Sequence, residues 1–447
     1  MKTDATAGPV LNRVLGLPAA VRFGLSYMIP LTVFTTVGIV NTVTEGHIIS
    51  AYGITLIAML FTALSYAFMS RAVPRAGSAY AYAKQSFGGN IGFLSGWTLL
   101  LDYLLMPTIT YLVIGLYMNA AFPGVPFWVW VLGSIAVVTV LTILGITVVS
   151  GVSSALLLLQ VVFLAVFAFL TVRSINGTPL PPLTDALFGT GPGISHVFAG
   201  AAILCLSFLG FDAVSTLAEE TVDAKMVIPK AIVLVTLIGG LLFMVIAYLC
   251  VIAFPDWQNY TDADAASLDI MARAGGSFLT NFFTAAYVAG CFGAVLASQT
   301  SVARILYAMG RDGTLPRHFA SLHPRFHTPW LSAILVGTIG LLALVLSLSL
   351  VSSLISFGSL VAFTAVNASV IKHYVIDQRR RDPRSLLLYF ALPLVGLTLC
   401  LWLWTSLSAD AFKIGIPWLL AGIAVLAFST RGFRRTPPSL DQAELVP

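Results

Sequence analysis

Ser207-Phe208-Leu209-Gly210-Phe211-Asp212 sets a hydroxyl, a glycine and a carboxylate in the middle of an apolar run at 196–219. Glycine weakens a helix by about 1 kcal/mol relative to alanine, and a charge at the centre of a membrane helix costs about 2.5–3.5 kcal/mol on insertion scales. A similar disturbance, Thr35-Thr36-Val37-Gly38-Ile39-Val40-Asn41, interrupts the apolar run at 23–43. Two readings stand. The glycines pack helices together, as glycine commonly does in membranes, or both helices are broken and line a cavity, where irregular backbone survives in lipid. The two positions lie five segments apart, the spacing of an inverted five-helix repeat, and this match favours broken helices.

Working outward, the chain has 447 residues, 58% hydrophobic and 9% charged; a soluble domain carries about 25% charged residues, so this is a membrane composition. Apolar segments of roughly 20 residues fall at 23–43, 50–70, 92–121, 126–148, 151–172, 196–219, 231–254, 277–309, 330–349, 353–375, 386–407 and 414–430. The expected fold is an all-α polytopic membrane protein of twelve spans, with the fourth and fifth meeting at Thr147–Ser153 without a separating charge. Merging them would give eleven.

Lys and Arg are retained on the cytoplasmic side. With twelve spans and both termini cytoplasmic, only Arg173, Arg273 and Lys413 of 23 basic residues fall outside, whereas eleven spans scatter them over both faces. The net charge of +5 follows from this sorting and is no nucleic-acid footprint; the inner arginines are placed to meet anionic lipid heads. Outside, Glu45, Asp185, Asp256, Asp262, Asp264, Asp269 and Asp410 outnumber the basic residues, a mild attraction for cations or the plain complement of the positive inner face. The first helix is expected to act as its own insertion signal. The division expected is a cytoplasmic segment at 1–22, a ten-helix core at 23–375, two further helices at 376–432 and a polar tail at 433–447, with a Gly- and Pro-rich outer loop at 173–195. Cys205, Cys250, Cys291 and Cys400 lie in apolar segments without ligand spacing and read as packing residues.

The side chains that could carry chemistry are few. Asp102 in the third segment and Asp212 in the sixth are intramembrane carboxylates, either structural groups satisfied by neighbours or groups handling substrate or protons. Tyr103, Trp97, Tyr111, Phe208 and Phe211 offer aromatic faces to a cation, Tyr103 foremost because it adjoins Asp102. Glu219 and Glu220, close in sequence to Lys225 and Lys230, suit a gate at the cytoplasmic end. The hydroxyls of Ser298, Thr300 and Ser301 either face the broken first helix and ligate sodium or bond back to their own helix. No cluster suited to catalysis is evident.

These residues carry a resemblance. FLGFDAVSTLAEE at 208–220 with IPKAI at 228–232, and ARILYAMGRDGTLP at 303–316 with HPRFHTPW at 323–330, resemble motifs of the amino acid-polyamine-organocation permeases. GIVNTVTEGHI at 38–48, PRAGSAYAYAKQS at 74–86 and GWTLLLDYLLMP at 96–107 are most similar to bacterial putrescine importers. The resemblance spans residues 23–430 and implies two inverted five-helix repeats plus two helices, a secondary transporter of the inner membrane working by alternating access, and no cofactor. It places Gly38 and Ile39 in the unwound part of helix 1, Phe208, Gly210, Phe211 and Asp212 in that of helix 6, Tyr103 on the substrate path and Ser298 in the pocket, which with Asp102 completes the expected substrate site. The implied substrate is putrescine or a related amine, the alternative an amino acid, with proton or sodium as the coupling ion and no obligate protein partner. Two departures bear on this: residues 150–172 lack the lysine that proton-coupled members often carry in helix 5, and TTVGIVN has one glycine fewer than the GxG that cradles an amino acid's carboxylate.

Overall fold

The structure, a computed structural model, describes residues 13–174, 194–261, 266–311, 315–405, 407 and 409–430. The start of the N-terminal segment (1–12), most of the outer loop (175–193) and the tail (431–447) lie outside the described residues. Within them the chain is helical, and the sole strand-like pairing is an isolated bridge between Leu15 and Thr221. Lipid offers no partners to backbone groups, so each crossing segment closes its own hydrogen bonds as a helix.

Among the described residues ten helices are long and apolar enough to cross a membrane: Ile48–Ala72, Gly89–Ala121, Phe127–Leu144, Ile146–Ser174, Ser195–Glu220, Ala224–Ala253, Ala266–Arg311, Leu350–Asp377, Pro383–Trp404 and Ala411–Phe428. Leu17–Met28 and Thr32–Val43, bent by 47°, make an eleventh if counted as one broken span, and the shorter apolar helix Trp330–Leu344 falls on the expected ninth segment. The ambiguous join is resolved at Gly145, whose φ of 113° ends one helix and lets Ile146 begin the next. The break therefore precedes the expected Thr147–Ser153. The eighth span begins earlier than expected, with a kink at Gly276 (φ 64°, ψ −155°) joining residues 266–275 to it.

One element went unforeseen. Ser78–Phe87 is a short helix between the second and third spans, bracketed by Gly77 and Gly88 at φ 121° and 89°. It lies tight on the third span because Gly92 and Gly96 have no side chains there. A Cβ on Gly92 would stand 2.6 Å from the Cα of Lys84, and one on Gly96 2.8 Å from the Tyr80 ring.

Burial sorts the spans into core and rim. The most apolar stretches of the third, sixth and tenth spans are 72%, 72% and 67% buried, whereas those of the fourth, eleventh and twelfth are 22% buried, so the former form the interior and the latter face lipid. Small residues bring the core helices together. A Cβ at Gly358 of the tenth span would meet Asp102 N at 2.7 Å and Thr98 O at 3.0 Å, so that helix rests directly on the backbone of the third.

Gly358→Leu is expected to destabilise the protein by roughly 1–3 kcal/mol or more through overpacking, since the opposing atoms are backbone and cannot yield. Gly133→Ala, where nothing lies within 4 Å of the added carbon, should leave the melting temperature in detergent unchanged or raise it slightly through alanine's higher helix propensity. Thermal unfolding of the two variants checks the contrast.

Candidate functional site

The first span breaks at Ile29-Pro30-Leu31. Pro30 has no N–H and disfavours helical geometry in the residue before it; Ile29 accordingly sits at φ 48°, ψ 93°, a rare conformation for a β-branched residue. A new helix starts at Thr32, whose N–H reaches Ile29 O at 2.9 Å. The sixth span loses α-helical form at Cys205–Phe208, turns through Gly210 at φ 121° and continues as a 3-10 helix over Asp212–Glu220. The two breaks meet: a Cβ on Gly210 would stand 2.5 Å from the Tyr27 ring, so only glycine allows both the turn and the contact.

Asp212 sits in this junction, 3% exposed. One carboxylate oxygen accepts the Tyr103 hydroxyl at 2.5 Å and the other the Gly210 N–H at 3.2 Å. Asp102, 4% exposed, lies within electrostatic range of Asp212, Tyr27 and Tyr66. Among the described residues no hydrogen bond is made to the Asp102 carboxylate, and no Lys, Arg or His is ion-paired with either aspartate. Phe211 packs edge-on to Tyr66 at 5.7 Å and stacks on Phe363 at 5.4 Å. Beside the first break lies a cavity of about 160 Å³ lined by Tyr27, Ile29, Thr32, Thr110, Tyr287 and Ser352, among others. A larger one, about 390 Å³, shares Leu206, Leu209 and Ser352 with it and extends between the second, sixth, tenth and eleventh spans.

The end of the sixth span is bolted to the eighth. Glu220 is ion-paired with Arg304, which also donates to Thr300 O at 2.9 Å, and both charged side chains are 4% exposed. Arg311 grips Glu219 with two bonds of 2.7 and 2.9 Å, while Glu219 also accepts Ala76 N–H at 3.1 Å. Leu15 crosses the same place: Val14 and Leu15 donate to Glu220 O and Val222 donates to Leu15 O, each at 2.9 Å. The glutamates thus pair with arginines of the eighth span, and not with Lys225 and Lys230, which stand near them in sequence.

Phe208, Gly210, Phe211 and Asp212 stand at the break as expected, and Asp102 and Tyr103 lie beside it. Gly38 and Ile39 do not. Both belong to the continuous helix Thr32–Val43, and Ile39 is 37% exposed, so the unwound segment is corrected to Ile29–Leu31. Ser298 donates to Val295 O of its own helix at 3.2 Å, the second of the two fates open to it, whereas the buried Thr300 and Ser301 hydroxyls have no hydrogen-bond partner among the described residues. Tyr111 bonds to Gln299, which also reaches Thr139 and Ala333 O, each at 3.0 Å. Trp97 stacks on Trp418 at 4.9 Å, holding the third span to the twelfth. Tyr27, Thr32, Thr110, Tyr287 and Ser352, all at the cavity, were not singled out, and Cys291, also there, was read only as a packing residue. Ile29-Pro30 was the signal that would have drawn attention to Tyr27 and Thr32, which flank it.

Two interrupted spans meeting beside a cavity, with one end tied by ion pairs, fit a multi-pass membrane permease. The chain belongs to the amino acid permease family, which matches residues 15–434. It is 38% identical to the low-affinity putrescine importer PlaP of Escherichia coli over 98% of both chains. It is 26% identical to the branched-chain amino acid permease BcaP of Bacillus subtilis, covering 96% of this chain and 95% of that one, and 24% identical to the methylthioribose transporter of the same organism, covering 94% of each.

Removing one partner of a buried ion pair leaves the other charge uncompensated, at about 3–5 kcal/mol. Glu220→Gln is therefore expected to lower the unfolding temperature markedly, and the double change Glu220→Gln with Arg304→Met to restore much of the loss. A double-mutant cycle of melting temperatures measures the coupling.

Proposed function

We propose that the chain imports putrescine or a closely related small amine across the cytoplasmic membrane by alternating access. The observation that carries this reading is the pair of buried carboxylates, Asp102 and Asp212, beside the helix breaks with no basic side chain paired to either among the described residues. Two carboxylates in a low-dielectric interior are neutralised by protons or by a cation, and an ammonium group reaching the helix breaks is such a cation. The Tyr103 hydroxyl donates to Asp212, which places an aromatic ring, a face that attracts cations, beside that carboxylate. The likeness to a putrescine importer along nearly the whole chain supports the same substrate class.

The competing reading, an amino-acid permease, draws support from the branched-chain relatives. It needs exposed backbone N–H groups for the substrate's carboxylate, and at the sixth-span break the Gly210 N–H is already taken by Asp212. An amine makes no such demand.

With the arginine-rich end and both termini cytoplasmic, as the distribution of basic residues directs, the Glu219–Arg311 and Glu220–Arg304 pairs close the inner gate. The membrane potential then supplies about 2.3 kcal/mol per charge per 100 mV, so a dication could accumulate on the order of a thousandfold. Coupling to a proton or to sodium adds to that driving force and is separable by imposing each gradient alone.

Purified protein in proteoliposomes should take up radiolabelled putrescine saturably when an inside-negative potential is imposed. Asp212→Asn and Tyr103→Ala should each lower uptake by roughly tenfold or more, the scale of a lost charge-assisted hydrogen bond. Intact uptake in both variants would reject the assignment, and equal displacement of putrescine by neutral amino acids would favour the competing reading.

A further inference from the structure

The turn between the tenth and eleventh spans carries Arg379, Arg380, Arg381 and Arg384 within six residues, all exposed. Its geometry is specific. Tyr374 and Tyr389, one from each span, stack with ring centroids 4.1 Å apart and 12° between planes, and the Arg380 guanidinium lies 5.3 and 6.0 Å from the two rings. The Tyr374 hydroxyl donates to Phe68 O of the second span at 3.2 Å, and Arg71 at the end of that span also lies within electrostatic range of Tyr374. Both spans are π-helical beside the turn, over Ile371–Asp377 and Leu387–Ala391, a form often found at functional sites.

The nearby acids have partners of their own, although Asp382 also lies within electrostatic range of Arg380. Asp377 is ion-paired with Lys372, and Asp382 caps the following helix, accepting Ser385 N–H at 3.0 Å. Among the described residues no ion pair is made by Arg71, Arg379, Arg380, Arg381 or Arg384. Ile376, Leu387 and Phe390 stand next to this cationic cluster on the same membrane-crossing helices, 55%, 59% and 42% exposed. A cationic zone beside an exposed apolar one is complementary to a molecule with an anionic head and apolar tails, and to neither a nucleic acid nor a soluble acidic peptide.

We propose that this junction of the second, tenth and eleventh spans is a binding site for an anionic phospholipid, its phosphate held by Arg380 and the neighbouring arginines and its acyl chains lying along Ile376, Leu387 and Phe390. Guanidinium groups suit phosphate because their N–H fork matches two of its oxygens. The aromatic stack pre-orders one of them. The tenth span reaches from this site to the cavity, which it lines through Ser352 and Ile355, so a lipid bound at one end braces a helix that forms the wall of the other.

The test uses the full chain in nanodiscs of phosphatidylcholine with increasing phosphatidylglycerol, reading thermal unfolding and the lipid retained in native mass spectrometry. The unmodified protein should retain phosphatidylglycerol and melt at higher temperature as its fraction rises. Each arginine removed should weaken retention by about fivefold, the worth of one basic residue near an anionic surface. Arg379→Gln/Arg381→Gln/Arg384→Gln should thus lose most of the response, and Arg380→Gln alone part of it, which keeps the test decisive if the triple variant does not fold. A response unchanged in Arg380→Gln and in the triple variant overturns the proposal. So does an equal rise in melting temperature from inorganic phosphate alone, which would mark a simple phosphate site. Neither readout depends on transport.

Discussion

The contact between Gly210 and Tyr27 fixes how everything else can be arranged. A hydrocarbon solvent punishes every unpaired N–H or C=O, so a break in a membrane helix needs protein or enclosed water around it. The first and sixth spans place their breaks against each other, the left-handed turn at Gly210 fitting onto the Tyr27 ring. Around that junction stand the third and tenth spans, pressed so close that Gly358 touches the backbone at Asp102. The cavity is the space left over when two imperfect helices shelter one another.

That junction also explains why the charged groups are where they are. Asp212 immediately follows the turn and satisfies its Gly210 N–H, so the carboxylate is part of the break as well as the acceptor of Tyr103. The acids of the third and sixth spans divide by partner. Glu219 and Glu220 each meet an arginine of the eighth span, which makes them a lock, while Asp102 and Asp212 meet hydroxyls, backbone or nothing. A buried ion pair is complete in itself; a pair of carboxylates without a cation is not.

Much of this was legible in the sequence. Apolar length gave the helical membrane class, the asymmetry of Lys and Arg argued for twelve spans, and a carboxylate two residues after a glycine marked the sixth break because both are unfavourable in mid-membrane. The first break was located wrongly for an instructive reason. Gly38 drew attention as a weak helix former, yet a glycine can sit inside a helix, whereas Pro30 removes a donor and forces Ile29 out of helical geometry. Proline was the stronger signal and stood near the start of the expected segment. The arginine partners of Glu219 and Glu220 could not be read from spacing, since 84 and 92 residues separate them in the chain and only packing of the sixth on the eighth span unites them.

The small bridge at Leu15 has a mechanical meaning. Three main-chain hydrogen bonds tie the approach to the first span to the end of the sixth, at the very residue that Arg304 grips. Backbone bonds are short-ranged and do not stretch, so the strap cannot loosen by degrees. Under the proposed gating it acts as a latch whose release accompanies the parting of both arginine pairs, so that end is either shut or fully open.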